Sequence, residues 1–187
     1  MEIKDILKDV KIVGIVSNYQ TNLKIEGKVK DLKIKNISSA LKMVGLGVNS
    51  LEKSISDLSI SELWKLELAS KLDNDVIIIG DIYNSLIYKD REYMKKLFVK
   101  LSNDYQKKIV IIDNNINSFI GVVKKIFVIR DKKIVYETGN FFDQELYKYV
   151  KMPKIIDFIK YVNRDNNRLE KTTDIYELIK DIYRRVS

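Results

Sequence analysis

The chain has no cysteine and no histidine, and only one proline, one tryptophan and seven glycines in 187 residues. Without cysteine there are no disulfides, zinc–thiolate centres or thiol nucleophiles. Without histidine the commonest general base, the usual catalytic triads and most transition-metal sites are excluded together, so no metal site is expected. No run approaches the roughly 20 apolar residues that span a bilayer. The opening "MEIKDILKDVKIVGIV" carries acids and only a short apolar run, which is not the build of a secretory signal. These absences point to a cytoplasmic protein.

Acids are in the minority, 26 against 34 basic residues, for a formal charge of +8. Of those basic residues 28 are Lys and 6 are Arg, amid abundant Asn and Ile. Codon usage in an AT-rich genome gives that mixture with no selection for anion binding. The acids interleave with the lysines, so no block reads as a basic tail. The clustered basic and aromatic patches of a nucleic-acid site are missing too. No nucleic-acid partner is expected. A nucleic-acid binder would instead show a steep salt dependence of binding.

What is present is a globular core, with 45% hydrophobic residues and length for one domain plus a small appendage. Short β-branched runs recur at "KIVGIV" (11–16), "DVIIIG" (75–80), "KIVIID" (108–113), "KIFVIR" (125–130) and "KIVYET" (133–138). Runs apolar on both faces mark strands inside a mostly parallel sheet. Between them lie helical patterns over 37–46, 60–72, 91–105 and 115–123. The alternation predicts an α/β fold with helices flanking the sheet. The polar Asp-Lys between the last two runs predicts an antiparallel hairpin at its edge. Beyond about residue 140 the patterns are helical only, with Pro153 where a helix could start and Thr173 or Asp174 as a cap before the last helix. This divides the chain into an α/β unit over 1–140 and a helical extension over 141–187.

Two phosphate-site lookalikes fail on context. "GLGVNS" (45–50) follows a helical stretch, whereas a dinucleotide fingerprint follows a strand and opens a helix. Gly45 or Gly47 is better read as ending that helix in a left-handed conformation. "GVNSLEKS" places Glu52, an acid, where a phosphate-binding GxxxxGK[ST] loop needs its glycine. Elsewhere, "SISE" (59–62) reads as an S-x-x-E capping box. Trp64, Leu68 and Leu72 follow it at helical spacing, as core or interface residues.

Taken in order, these pieces resemble the ATP-binding subunit of an ABC transporter from just before its Q-loop onward. "IVGIVSNYQTN" is similar to the strand and glutamine loop, with Asn18 or Gln20 near the glutamine. "LSISE" (58–62) stands where the family has LSGGE or LSGGQ. "DVIIIGDIYNSL" is similar to the Walker B strand and D-loop, "KIVIIDNNI" to the strand reaching the switch-histidine loop, and "KIFVIRDKKIVYETG" to the final strand pair. The tail "KMPKIIDFIKYVNRDNNRLEKTTDIYELIKDIYR" resembles the C-terminal extension of the energy-coupling-factor (ECF) type. The resemblance covers roughly residues 11 to 185 and implies a partial P-loop NTPase sheet, truncated at its N-terminus.

The chemistry departs from the family. There is no Walker A motif. The magnesium-binding Asp corresponds to Gly80 and the water-activating Glu to Asp81, the one candidate catalytic residue. The D-loop Asp corresponds to Ile87 and the switch histidine to Asn114. Phosphoryl transfer rests on positioning and electrostatics, so autonomous hydrolysis is not expected. What the resemblance leaves open is nucleotide contact in trans through Ser59, Ser61 and Glu62, at the positive end of a helix dipole. ATP and Mg would then be shared with a partner. The implied partners are a homologous ABC ATPase subunit, a membrane transporter component, or both. Dimerisation would use the C-terminal helices, and the chain would sit peripherally on the inner face of the membrane. Loss of the P-loop strand and helix implies that apolar strand faces or an edge are left to be covered. The alternative is an unrelated α/β interaction or regulatory module.

Overall fold

Five strands build one sheet: β1 (Ile12–Val16), β2 (Val76–Gly80), β3 (Lys108–Ile112), β4 (Lys125–Arg130) and β5 (Lys133–Thr138). The structure, a computed structural model, describes residues 7, 10–18, 20, 26–165 and 169–186. The sheet order is β2-β3-β1-β4-β5, parallel except for the antiparallel β4–β5 hairpin. All five apolar runs are therefore strands, and the hairpin lies at the edge as its polar turn requires. Asp131 and Lys132 make that turn with φ of 49° and 61°, the doubly left-handed geometry whose twist suits a two-residue hairpin.

The helices are α1 (Ile37–Met43), α2 (Ile60–Lys71), the single turn α3 (Ile82–Ser85), α4 (Tyr88–Asp104), α5 (Lys154–Val162) and α6 (Ile175–Val186). α1 ends as the glycine reading requires. Gly45 has φ of +73°, its amide donates to Lys42 O, and the Leu46 amide donates back to Leu41 O at 2.8 Å. These two bonds satisfy carbonyls that the last turn would otherwise leave open. Asp174 proves to be the cap of α6, its Oδ1 accepting from Tyr176 N at 2.8 Å and Glu177 N at 3.4 Å. Pro153 is the residue preceding the first turn of α5.

One expectation fails. Residues 115–123 are not an α-helix but a 3-10 turn, Ile116–Ser118, followed by turns. Ile116, Phe119, Val122 and Val123 are all buried, and their spacing imitates a helix. Asp113 and Asn115, however, divert the backbone into side-chain-bonded turns: Asn115 N donates to Asp113 Oδ1, and Asn117 N to Asn115 Oδ1. Such local bonds compete with helix formation.

One face of the sheet (Ile12, Val16, Ile77, Ile79, Ile109, Ile111, Ile126, Val128) forms a single core with α1, α2 and α4. From α4 it receives Met94, Leu97, Phe98 and Leu101 at helical spacing. The other face carries Val13, Ile15, Val110 and Phe127; among the described residues only Leu7 and Val10 join it from outside the strands. On the helical face Gly14 admits Phe119: a Cβ there would lie 2.9 Å from the ring.

β2 is an edge strand, and α2 shields it. Lys108 N bonds Asp75 O and Asp81 N bonds Ile112 O. The alternate residues 76, 78 and 80 therefore face the open edge. Two of those outward carbonyls are occupied by α2: Lys71 Nζ donates to Ile78 O at 2.8 Å, and Trp64 Nε1 to Gly80 O at 2.7 Å. A covered edge cannot template pairing with another chain. A smaller core of Ile159, Leu169 and Leu178, with Phe142, Ile155, Val162 and Ile182, holds α5 against α6. No helix among the described residues is long and apolar enough to cross a membrane.

Candidate functional site

The parallel strands β1, β2 and β3 end on one rim, and the sequence places a polar residue just past each end. Ligand sites of open parallel sheets lie outside such carboxyl ends. After β1 comes Asn18; after β2, Asp81; after β3, Asp113 and Asn114. The order β3-β1 makes the first and last of these neighbours, and Asn114 Nδ2 donates to Asn18 Oδ1 across the gap. Gln20 is exposed, with Tyr19 between it and Asn18 outside the described residues.

Asp81 is committed to its own loop. Its φ of 53° is left-handed, one carboxylate oxygen accepts from Asn84 Nδ2 at 2.7 Å, and the other from Ser85 Oγ at 2.8 Å. Both oxygens brace the turn α3, one bond to each, and each keeps a second lone pair. Asp113, which sequence reasoning passed over, is buried and accepts from Ser118 Oγ at 2.5 Å as well as from the Asn115 amide. The available signal was its place, an acid directly after a strand and before an Asn-rich stretch.

α2 begins beside this rim because Trp64 ties it to the last carbonyl of β2. Its capping box is complete: Glu62 N donates to Ser59 Oγ at 3.3 Å, and Ser59 N donates to Glu62 Oε2 at 2.9 Å. Lys53 Nζ adds a 3.0 Å bond to Glu62 Oε1, so the lysine of the P-loop lookalike serves the cap. The Ser59 amide above all, then Lys53 and the Ser59 hydroxyl, hold the Glu62 carboxyl down at about 2 against an ordinary 4.5. Ser61 is also engaged, its Oγ donating to Asp90 Oδ2 at 3.0 Å; Lys65 pairs with the same carboxylate. Asp90, on the first turn of α4, is a second residue missed in the sequence. Ile60, where the family has glycine, is 69% exposed, so an apolar side chain stands over the start of α2.

These bonds make a pH prediction. A carboxyl held low in the folded state contributes stability that is present above the unfolded value near 4.5 and lost as pH falls toward about 2. Glu62→Gln should flatten that part of the acid limb in urea melts between pH 5 and pH 2.5. An unchanged limb would mean the carboxylate has no net role in the cap. Ser59→Ala should cost about 1 kcal/mol at neutral pH.

At the rim, Gly80, the residue at the position that resembles the magnesium ligand, has no side chain to offer a metal, and Asp81 braces its own turn.

Solved structures carry this same arrangement of sheet and helices, and they define the class: the fold is that of an ATP-binding cassette. A dimeric ATP-binding cassette bound to ADP and Pi superposes with a TM-score of 0.55 at 18% identity, over 74% of this chain and 68% of that one. CbiO1 of Clostridium perfringens, described as part of an ABC transporter complex, gives 0.54 at 19% identity, over 85% of this chain and 71% of that one. By sequence, the matched relatives include ATP-binding proteins of energy-coupling factor transporters. The chain is 25% identical over 119 residues to the energy-coupling factor transporter ATP-binding protein EcfA2 of Spiroplasma kunkelii, covering 63% of this chain and 39% of that protein. It is also 25% identical over 149 residues to the glycine betaine/carnitine transport ATP-binding protein GbuA of Listeria monocytogenes, covering 79% and 36%. No family model matches the chain. It thus spans less than two-fifths of the length of the curated relatives it matches.

Proposed function

We propose that this chain is a non-hydrolytic, ECF-type cassette subunit that works by pairing with a complete ABC ATPase or by docking on its membrane component. The observation that carries the reading is Asp81: the acid at the water-activating position has both oxygens bonded to Asn84 and Ser85. The amide at Asn114 supports it. A charge-neutral switch residue cannot act as a cation at neutral pH. In a pair, the free amides at the start of α2 are the part able to face a partner's nucleotide. Ser59 and Glu62 hold that helix end in place, and Ser61 fixes it to α4. The segment 141–187 is read as the appended helical unit through which such cassettes pair. The alternative, an unrelated α/β interaction module, is disfavoured by a parallel sheet with cassette topology.

Purified chain incubated with Mg–ATP should release phosphate at the rate of a protein-free control. Turnover well above it that Asp81→Asn abolishes would overturn the non-hydrolytic reading. A tagged chain drawn from native membranes should bring an intact cassette ATPase or transporter membrane subunit with it; a soluble, solitary chain would remove the pairing.

A further inference from the structure

Between α1 and α4 lies a groove of about 430 Å³. From α1 it takes Ser39, Lys42 and Met43, and from α4 Tyr93, Lys96, Leu97 and Lys100. These are i, i+3, i+4 and i+7 positions, which share one face of a helix. Tyr105, the first residue past α4, adds a second phenol ring. The apolar part is built into the packing. Leu97 is buried and Met43 half-buried. The Tyr93 hydroxyl donates to Met43 O at 2.9 Å, which holds its ring from α4 against the end of α1.

The charges on this groove are of one sign. Lys42, Lys96 and Lys100 are exposed, so their heads can meet a ligand that enters from solvent. None of the three has a carboxylate partner among the described residues, and no acid lines the groove. Lys96 and Lys100 stand four apart on α4, a like-charge spacing that costs helix stability. Glu92, four residues before Lys96, is in the favourable place to pair with it, yet its Oε1 accepts from Lys95 Nζ at 3.0 Å. Lysine stems can lie along an apolar surface while the ammonium stays in water. The three side chains can therefore cover a ligand and hold its charge together.

We infer that this groove binds a one- or two-ring aromatic acid, its rings against Tyr93, Tyr105 and Met43 and its carboxylate among the lysines. Small-molecule sites begin at about 300 Å³ and are mostly apolar with a few polar groups, and a groove of 430 Å³ meets both conditions. Tyrosine rings and a thioether favour a flat aromatic partner. A nucleotide suits the lining less, because its sugar and base edges need several donors and acceptors. Apart from the lysines only Ser39 and the two phenols are polar side chains here, and the Tyr93 proton is spent on Met43 O. The groove shares no residue with the strand rim and does not depend on the proposed pairing.

The test is a titration of the full chain with 1-naphthoate, followed by saturation-transfer NMR. 1-Naphthalenemethanol keeps the rings without the charge, and hexanoate keeps the charge without the rings. Naphthoate should bind with a Kd of about 1 mM or below. The alcohol should bind about three- to tenfold more weakly, and hexanoate about tenfold more weakly. Ser39→Trp, at an exposed position of α1, should fill the groove and remove binding at an unchanged unfolding midpoint. Replacing Lys42, Lys96 and Lys100 together by Gln should bring naphthoate down to the affinity of the alcohol, and this variant decides if the tryptophan unfolds the chain. No saturable binding overturns the site, and so does equal affinity for naphthoate and the alcohol in the parent chain. Binding that survives Ser39→Trp in a folded chain, or a preference for the acid that survives loss of the three lysines, places the ligand elsewhere and overturns it too.

Discussion

Replacing Gly14 with valine should cost about 3 kcal/mol of folding stability, at the upper end of overpacking penalties. Gly14 is central in the sheet, paired with Ile111 on one side and Ile126 on the other. Its missing side chain is the space in which Phe119 lies, since a Cβ would stand 2.9 Å from ring atoms Cγ and Cδ2. Phe119 is fully buried and cannot swing into solvent. The better strand propensity of valine offsets only part of this, within a scale of about 1 kcal/mol. The urea midpoint should fall at constant m-value. Pairing Gly14→Ala with Phe119→Leu should recover much of the loss, because residues in contact are non-additive. Full additivity would show that the close approach is not what fixes glycine here.

The second large effect is expected at Trp64. Its indole packs edge-on against Phe98, with centroids 6.4 Å apart, and its Nε1 donates to Gly80 O. Trp64→Ala should cost roughly 3–5 kcal/mol through the cavity and leave the last outward carbonyl of β2 without its donor. Trp64→Phe keeps most of the ring volume and separates the two contributions. It should cost about 1–3 kcal/mol for the unpaired carbonyl and loosen α2 from the strand rim. A Trp64→Phe protein as stable as the parent would mean that water replaces the indole, and that α2 is held by packing alone.

Much of this molecule is legible in its letters because the relevant physics is local. β-branched runs apolar on both faces leave few options besides buried parallel strands. Ser59 and Glu62, three apart before an apolar helix, close a capping box without help from the rest of the chain. Gly45 ends α1 because glycine reaches a positive φ at little cost. Where local rules and burial conflict, the reading failed. Ile116, Phe119, Val122 and Val123 have helical spacing, yet Asp113 and Asn115 draw the backbone into turns and Gly121 takes φ of +79°.

The functional region divides along the same line. The family resemblance supplied the candidates Asn18, Asp81 and Asn114, by their correspondence to its glutamine loop, Walker B acid and switch histidine. It could not say that Asn18 and Asn114 meet, because that follows from β1 lying between β3 and β4, a choice made by side-chain packing across the whole sheet. Nor could it say that Asp81 has both oxygens occupied, that Asp90 holds Ser61, or that α2 closes the edge of β2 with Trp64 and Lys71. The sequence by itself determined the five strands, the main helices and their caps. Tertiary structure alone decided which polar groups face one another and which are already satisfied, because hydrogen bonds across 29 residues, as from Ser61 to Asp90, or 96, as from Asn114 to Asn18, exist only once the intervening chain has packed.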